Sequence, residues 1–535
     1  MRATSARPRV KAIRKLLRVT SIATAPTILN QPKARRTLTA DTLAASVVIL
    51  LTVTVVQRTV GFGRGILFCR WLSPESLGEW EMVYSFLMLA APLAVLGVPG
   101  SFGRYAEHYR QRGHLRTFLT RTTIWTTVCG LISVAIIETL APQLSQMMFG
   151  DVKYADVMRN IGFCLLTIIL QHTLTALLTA LRLYRIVSAM QFVQSILFAV
   201  ISLGLMWRYP TMNSILFGYA IACLVSSVGA IIWAWPAFRD LDQPEDDLVH
   251  REFWSKLLRF AFFVWVTNLL THLFAIVDRY MIVHYANLTS SEALDQVGHY
   301  HSSRIIPLLM VSVADLLSGL VMPYLSHDWE AGRRENVSKR LNVTIKLSAI
   351  CMMIFGVAVL AAAPLLFHTV LQGKYDDGLH VLPWTLAGCV WYGIYIIAQN
   401  YLWCAEKAKL STAPLIIGLV INIILNFALL PTYGLHGAVL ATAVSTCICL
   451  LVVLWLNRSH GMQVDGGTWL LGLAPTALGF GLWPSVATCI VILVASLATP
   501  WLLTALEQRE LKHFALESLA KVIPLFRRER APVAN

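Results

Sequence analysis

Apolar residues fill this chain in long runs separated by short polar breaks. Fourteen runs are long enough to cross a bilayer as helices: roughly 43–69, 80–102, 118–148, 157–181, 187–207, 213–236, 260–285, 298–325, 341–370, 379–403, 412–431, 435–456, 468–483 and 485–505. A helix rises 1.5 Å per residue, so about 20 apolar residues cover the hydrocarbon layer. The last two runs are the weakest, because GFGLWPS at their junction also suits a bend within a re-entrant pair. The pattern predicts an all-α polytopic membrane protein.

The polar breaks set the organisation. RDLDQPEDDLVHREF (239–253) is the longest break, acidic and proline-containing, between the sixth and seventh runs. It divides the chain into a tail (1–41), a lobe of six helices (42–238), a linker (239–258), a second six-helix lobe (259–457), two further helices (458–506) and a C-terminal tail (507–535). The lobes look like a repeat offset by about 220 residues. LAPQLSQMMFGDVKYADV (140–157) parallels AAPLLFHTVLQGKYDDGL (362–379), and Leu77-Gly78-Glu79-Trp80 parallels Val297-Gly298-His299-Tyr300. An even helix count per lobe makes this a parallel repeat about an axis along the membrane normal.

Composition agrees. The 535 residues are 56% hydrophobic and 14% charged, with a mean hydropathy of +0.63, whereas soluble domains carry about 25% charge. The formal charge is +15, and residues 1–40 alone hold ten Lys or Arg and no acid. VKAIRKLLRV (10–19) suits a basic helix lying on a membrane surface. With the N-terminal tail placed in the cytoplasm, inward breaks carry 19 basic residues and outward breaks five, a positive-inside bias that puts both termini in the cytoplasm. Basic residues that flank apolar spans, without interleaved aromatics on a folded face, do not indicate a nucleic-acid partner. The ten cysteines form no CxxC pair and read as packing residues.

Charges inside the spans are the candidate chemistry, since each costs about 2.5–3.5 kcal/mol at a bilayer centre on insertion scales. Arg58, Arg64, Asp278, Arg279, Arg304 and Asp315 fall in spans, with His272 and Tyr300 on the same stripes. At 100° per residue, Asn268, His272 and Arg279 share a face, as do Tyr300, Arg304 and Asp315 on one continuous helix. Arg58 and Arg64 lie about 120° apart, so only one should point squarely into a cavity, and Arg58 is the deeper. Asp278 aligns with Arg58 at the repeat offset. The Asp278–Arg279 pair is therefore expected at the interface of the lobes, or as a local ion pair between helices. Asp278, Asn422, Asn426 and Thr442 form an oxygen-bearing set that suits either a coupling cation, Na+ or H+, or interhelical hydrogen bonds.

RWLSPESLGEWEMVYSFLMLAAPLAVLGVPGSFGRYAEHY (70–109) and NIILNFALLPTYGLHGAVLATAVST (422–446) resemble segments of the polysaccharide and O-antigen flippases. These belong to the multidrug, oligosaccharidyl-lipid and polysaccharide exporter superfamily. The resemblance implies two six-helix bundles around a central cavity, two extra C-terminal helices, and alternating access. It also implies a bacterial inner-membrane location, a polyprenyl-pyrophosphate-linked oligosaccharide as cargo, and polysaccharide polymerase or assembly proteins as neighbours. No catalytic residue, cofactor or metal is expected. Two rivals stay open: a drug or cation antiporter of the same superfamily, and a membrane enzyme of polysaccharide assembly. No DxD, HExxH, GxSxG or P-loop pattern supports the second.

Overall fold

Helices form wherever the apolar runs predict them, and the computed structural model describes residues 43–239 and 249–498, with Leu502 and Gln508. Both basic tails and residues 240–248 of the acidic linker lie outside the described residues, as does the surface helix expected at 10–19. The long helices are α1 (Leu43–Trp71), α2 (Pro74–Ala94), α3 (Phe102–Gln111), α4 (Leu115–Thr139), α5 (Ala155–Ala180), α6 (Tyr184–Arg208) and α7 (Met212–Arg239). They continue with α8 (His250–Tyr285), α9 (Ser290–Arg304), α10 (Pro307–Glu330), α11 (Arg334–Leu365), α12 (Asp376–Ala398), α13 (Ala413–Ser459) and α14 (Leu482–Ala498). No β-strand occurs among the described residues.

Local chemistry sets the boundaries. The Ser73 side chain accepts from the Ser76 backbone N–H and Pro74 sits at the first helical position, so α2 begins one turn after α1 ends. Thr289 and Glu292 form a capping box that starts α9. Past α2, Leu96 and Gly97 adopt positive φ, and the chain turns by 63° into α3. A Cβ on Gly97 would lie 2.7 Å from the Trp265 Cβ, so α8 packs directly on this turn. There Phe102, Tyr109, Phe118, Phe253 and Leu257 form a buried cluster.

Four elements depart from the expected spans, the first being the run 118–148, which ends as α4 at Thr139 and continues only as a short helix, Ala141–Phe149. The run 298–325 is not continuous: α9 stops at Arg304 and α10 begins at Pro307. Proline lacks the N–H that would bond Ser303 and its ring crowds that carbonyl. Tyr300 and Asp315 therefore lie on different helices. Runs 412–431 and 435–456 merge into α13, whose 47 residues would reach about 70 Å if straight. Gly434, at φ 52° and ψ −133°, breaks it in two. The run 468–483 forms two short helices, Gly466–Leu473 and Thr476–Gly479. Together they extend about 21 Å, short of the hydrocarbon thickness.

Among the described residues, nine helices are long and apolar enough to cross a membrane, or ten with the bent α2–α3 pair. Large apolar side chains face outward from them, including Trp207, Ile232, Val200 and Val313. A multi-pass membrane protein presents such a face to lipid.

The repeat has a direct structural signature where α2 crosses α9. A Cβ on Gly78 would fall 1.8 Å from the Leu294 carbonyl oxygen, and one on Gly298 would fall 2.0 Å from that of Pro74. Adding 220 to 74 and 78 gives 294 and 298, so each contact is the image of the other under the repeat. Only glycine lets the two backbones approach this closely.

Candidate functional site

The crossing of α2 and α9 closes one end of a cavity of about 930 Å³. Lys374 Nζ donates to the Arg70 carbonyl at 2.9 Å, and the Tyr375 hydroxyl to that of Leu72 at 3.4 Å, so the chain before α12 is tied to the end of α1 there. The cavity extends from this closed end along α1 to Thr54 and along α10 to Leu316, with α2, α5, α6, α7, α8 and α9 completing its wall.

Four arginines border it: Arg58 and Arg64 from α1, Arg279 from α8 and Arg304 from α9. Two carboxylates, Glu81 and Asp315, oppose them. Arg58 and Arg64 both line the one chamber despite their 120° separation, because it wraps around that side of α1. The Arg64 guanidinium lies 3.9 Å from the centroid of the Phe198 ring. Arg304 lies over Tyr300 at 5.1 Å, and its Nη1 is buried without a hydrogen-bond partner. Among the described residues, no carboxylate is within ion-pair distance of Arg58, Arg64 or Arg304. The chamber thus offers three arginines free of acids at their heads.

Arg279 differs. Its Nη2 meets Glu81 Oε1 at 2.5 Å, and Glu81 Oε2 lies 2.6 Å from His301 Nδ1. Glu81 and Arg279 are 6% exposed. This triad joins α2 to α8 and α9 just beneath the glycine crossing. Neither Glu81 nor His301 stood out in the sequence as a site residue. Their signal was the repeat itself, since 81 and 301 are also 220 apart.

Several expected residues lie elsewhere. Asp278 points away from the chamber, as its 100° offset from Arg279 allows. It is 2% exposed and accepts hydrogen bonds from Asn422 Nδ2 (2.8 Å), Asn426 Nδ2 (3.2 Å), Thr442 Oγ1 (2.5 Å) and the Tyr300 hydroxyl (3.2 Å). Tyr300 is therefore not a wall residue either, and the half-buried His272 does not border the cavity. The oxygen-bearing set anticipated from sequence does converge, with α8, α9 and both halves of α13 joined through one carboxylate. Asp278→Asn would replace one of its two accepting oxygens by an amide N–H, so the four groups that donate to it could not all keep their bonds. It is expected to lower thermal stability in detergent by about 1–3 kcal/mol, the cost of stranding a buried polar group. An unchanged melting temperature would show that the cluster does not bind its helices together. No group of three or more His, Cys, Asp or Glu suited to a metal ion occurs among the described residues.

Comparison with known proteins bears on this arrangement. Residues 43–329, more than half of the chain, match the family described as polysaccharide biosynthesis protein, and residues 264–428 match MatE. The lipid II flippase MurJ of Bacillus subtilis is 19% identical over 454 residues, covering 77% of this chain and 82% of that protein. The structure is similar to that of a lipid II flippase MurJ in an inward closed conformation, with TM-score 0.63 and 15% identity over 84% of this chain and all of that one. It is similar to an inward-facing multidrug resistance MATE family transporter, with TM-score 0.63 and 14% identity over 79% of this chain and 98% of that one. For an outward-facing conformation described in the same words, the TM-score is 0.53, with 15% identity over 80% of this chain and 96% of that one.

Proposed function

The chain belongs to the polysaccharide biosynthesis protein family, within the multidrug, oligosaccharidyl-lipid and polysaccharide exporter superfamily, and from that membership we propose that it flips a polyprenyl-pyrophosphate-linked oligosaccharide across a bacterial inner membrane. The observation that carries the reading is the chamber of four arginines against two carboxylates, inside a protein whose outer face is apolar. Cations are held there at high desolvation cost. An anionic headgroup crossing the membrane is the cargo that recovers it. Guanidinium suits pyrophosphate, because its planar fork donates two parallel hydrogen bonds and stays charged. An exporter of organic cations would need the opposite balance of charge in its cavity, and a membrane enzyme would need a reactive constellation rather than a set of cations.

In this reading the two lobes, 42–238 and 259–457, rock against each other, and the α2–α9 crossing parts when the closed end opens. The closed end faces outward and the chamber opens toward the cytoplasm, where both termini lie. The higher TM-score against the inward-facing transporter supports that assignment. The pyrophosphate enters between the arginines while the polyprenyl chain remains in lipid, and Arg279 exchanges Glu81 for phosphate as the closed end opens. The Asp278 cluster is a candidate for coupling to Na+ or H+, at a distance from the cargo.

Flipping of a labelled polyprenyl-pyrophosphate oligosaccharide in proteoliposomes tests this. Arg58→Ala is expected to reduce the rate at least about tenfold, the loss of one charge-assisted hydrogen bond worth about 1.5–3 kcal/mol, with the helical content unchanged. Wild-type vesicles that flip the lipid no faster than protein-free ones would reject the proposal.

A further inference from the structure

We propose that the neutral amides of the chamber form a separate subsite for uncharged sugar, and so decide which glycan is carried; this rests on the transport reading above. Gln57 on α1, Gln171 on α5, and Gln191 and Gln194 on α6 all border the cavity. Among the described residues, no hydrogen bond uses the side-chain amide of Gln57, Gln171 or Gln191. Gln171 is 7% exposed, so its amide is committed to the chamber and not to open solvent. Buried amides left unpaired are costly. Gln171 is the buried one and Gln57 and Gln191 are half-buried; all three amides border the chamber, where a ligand or water satisfies them.

Their placement along the helices separates them from Arg64, Arg279 and Arg304, while Arg58 adjoins Gln57 and lies at their level. Gln194 and Gln191 precede Phe198, over which Arg64 lies, by four and seven residues, and Gln57 precedes Arg64 by seven. At 1.5 Å per residue the amides form a band about 6–10 Å from the Arg64 level, toward the end of the chamber away from the glycine crossing. A sugar is bonded directly to the pyrophosphate it travels on. With the pyrophosphate past Arg58 and held at the Arg64, Arg279 and Arg304 level, the first sugars meet the amide band.

The chemistry fits. Each amide offers two donors and two acceptors, which matches a hydroxyl or an acetamido group in either sense. It carries no charge, so it adds little attraction for phosphate. The arginines hold what every cargo of this class shares, and the glutamines hold the part that varies.

The test measures binding of two probes to the full chain in lipid nanodiscs: polyprenyl pyrophosphate alone, and the same carrier bearing an N-acetylhexosamine disaccharide. The variant is Gln57→Met combined with Gln191→Met, which conserves volume and removes hydrogen bonding. Gln191→Met alone serves if the pair does not fold. The expected result is an affinity about thirtyfold lower for the glycosylated carrier, two hydrogen bonds at about 1 kcal/mol each, with less than about twofold change for the bare carrier. Equal losses for both probes would overturn the inference, as would wild-type protein that binds the bare carrier as tightly as the glycosylated one. Wild-type protein that is folded and binds neither probe would overturn the transport reading along with it.

Discussion

Gly298→Ala is expected to part α2 from α9 and to open the closed end of the chamber. The added carbon would sit 2.0 Å from the Pro74 carbonyl oxygen and 3.0 Å from its Cα, atoms of the backbone that cannot swing aside as a side chain can. Overpacking of a well-filled interior costs about 1–3 kcal/mol, and relief requires the whole of α2 to shift. Thermal unfolding in detergent should show the loss. Hydrogen exchange over residues 72–82 and 290–302 should rise, because parting the two helices exposes their backbones at the crossing to water. Unchanged melting and unchanged exchange would mean that the helices do not meet at these glycines.

The second large effect is expected at Glu81. Glu81→Gln leaves the Arg279 guanidinium buried beside a neutral partner, and breaking a buried pair this way costs about 3–5 kcal/mol. Arg279→Gln should cost a similar amount by stranding the carboxylate. The double substitution should recover most of the stability, because a buried pair contributes little net once both charges are gone. Flipping should not recover, since the chamber has then lost an arginine. A double-mutant cycle on unfolding free energy reads the coupling. Additive single effects would show that Glu81 and Arg279 act independently, contrary to their 2.5 Å contact.

Hydrophobic periodicity made the helices legible, because an apolar run of about 20 residues has few alternatives. The repeat was legible at Gly78 and Gly298 for the same reason that it matters: no other residue fits where two backbones touch. Pairings between distant helices were not. Glu81 lies at the edge of the expected run 80–102 but seven residues into a helix that starts earlier, at Pro74, and its partner Arg279 is almost 200 positions away. The members of the Asp278 cluster were readable as a set, since Asn422 and Asn426 share a helix face. That the set faces away from Arg279 depends on how α8 is rotated against α13, which no local pattern specifies. The break at Pro307 was written in the sequence and masked by the apolar residues on both sides of it. Arg64 shows the limit of angular arguments: 120° excludes a shared slot, not a shared chamber.

The paired glycine contacts also govern how mutations at the two positions combine. Position 78 meets a carbonyl of the second half, and position 298 meets the matching carbonyl of the first, across one and the same gap. Whatever widens that gap for one extra methyl group widens it for the other. Alanine at both sites together should therefore be hardly worse than alanine at either, and the cost belongs to the pair of helices as a unit.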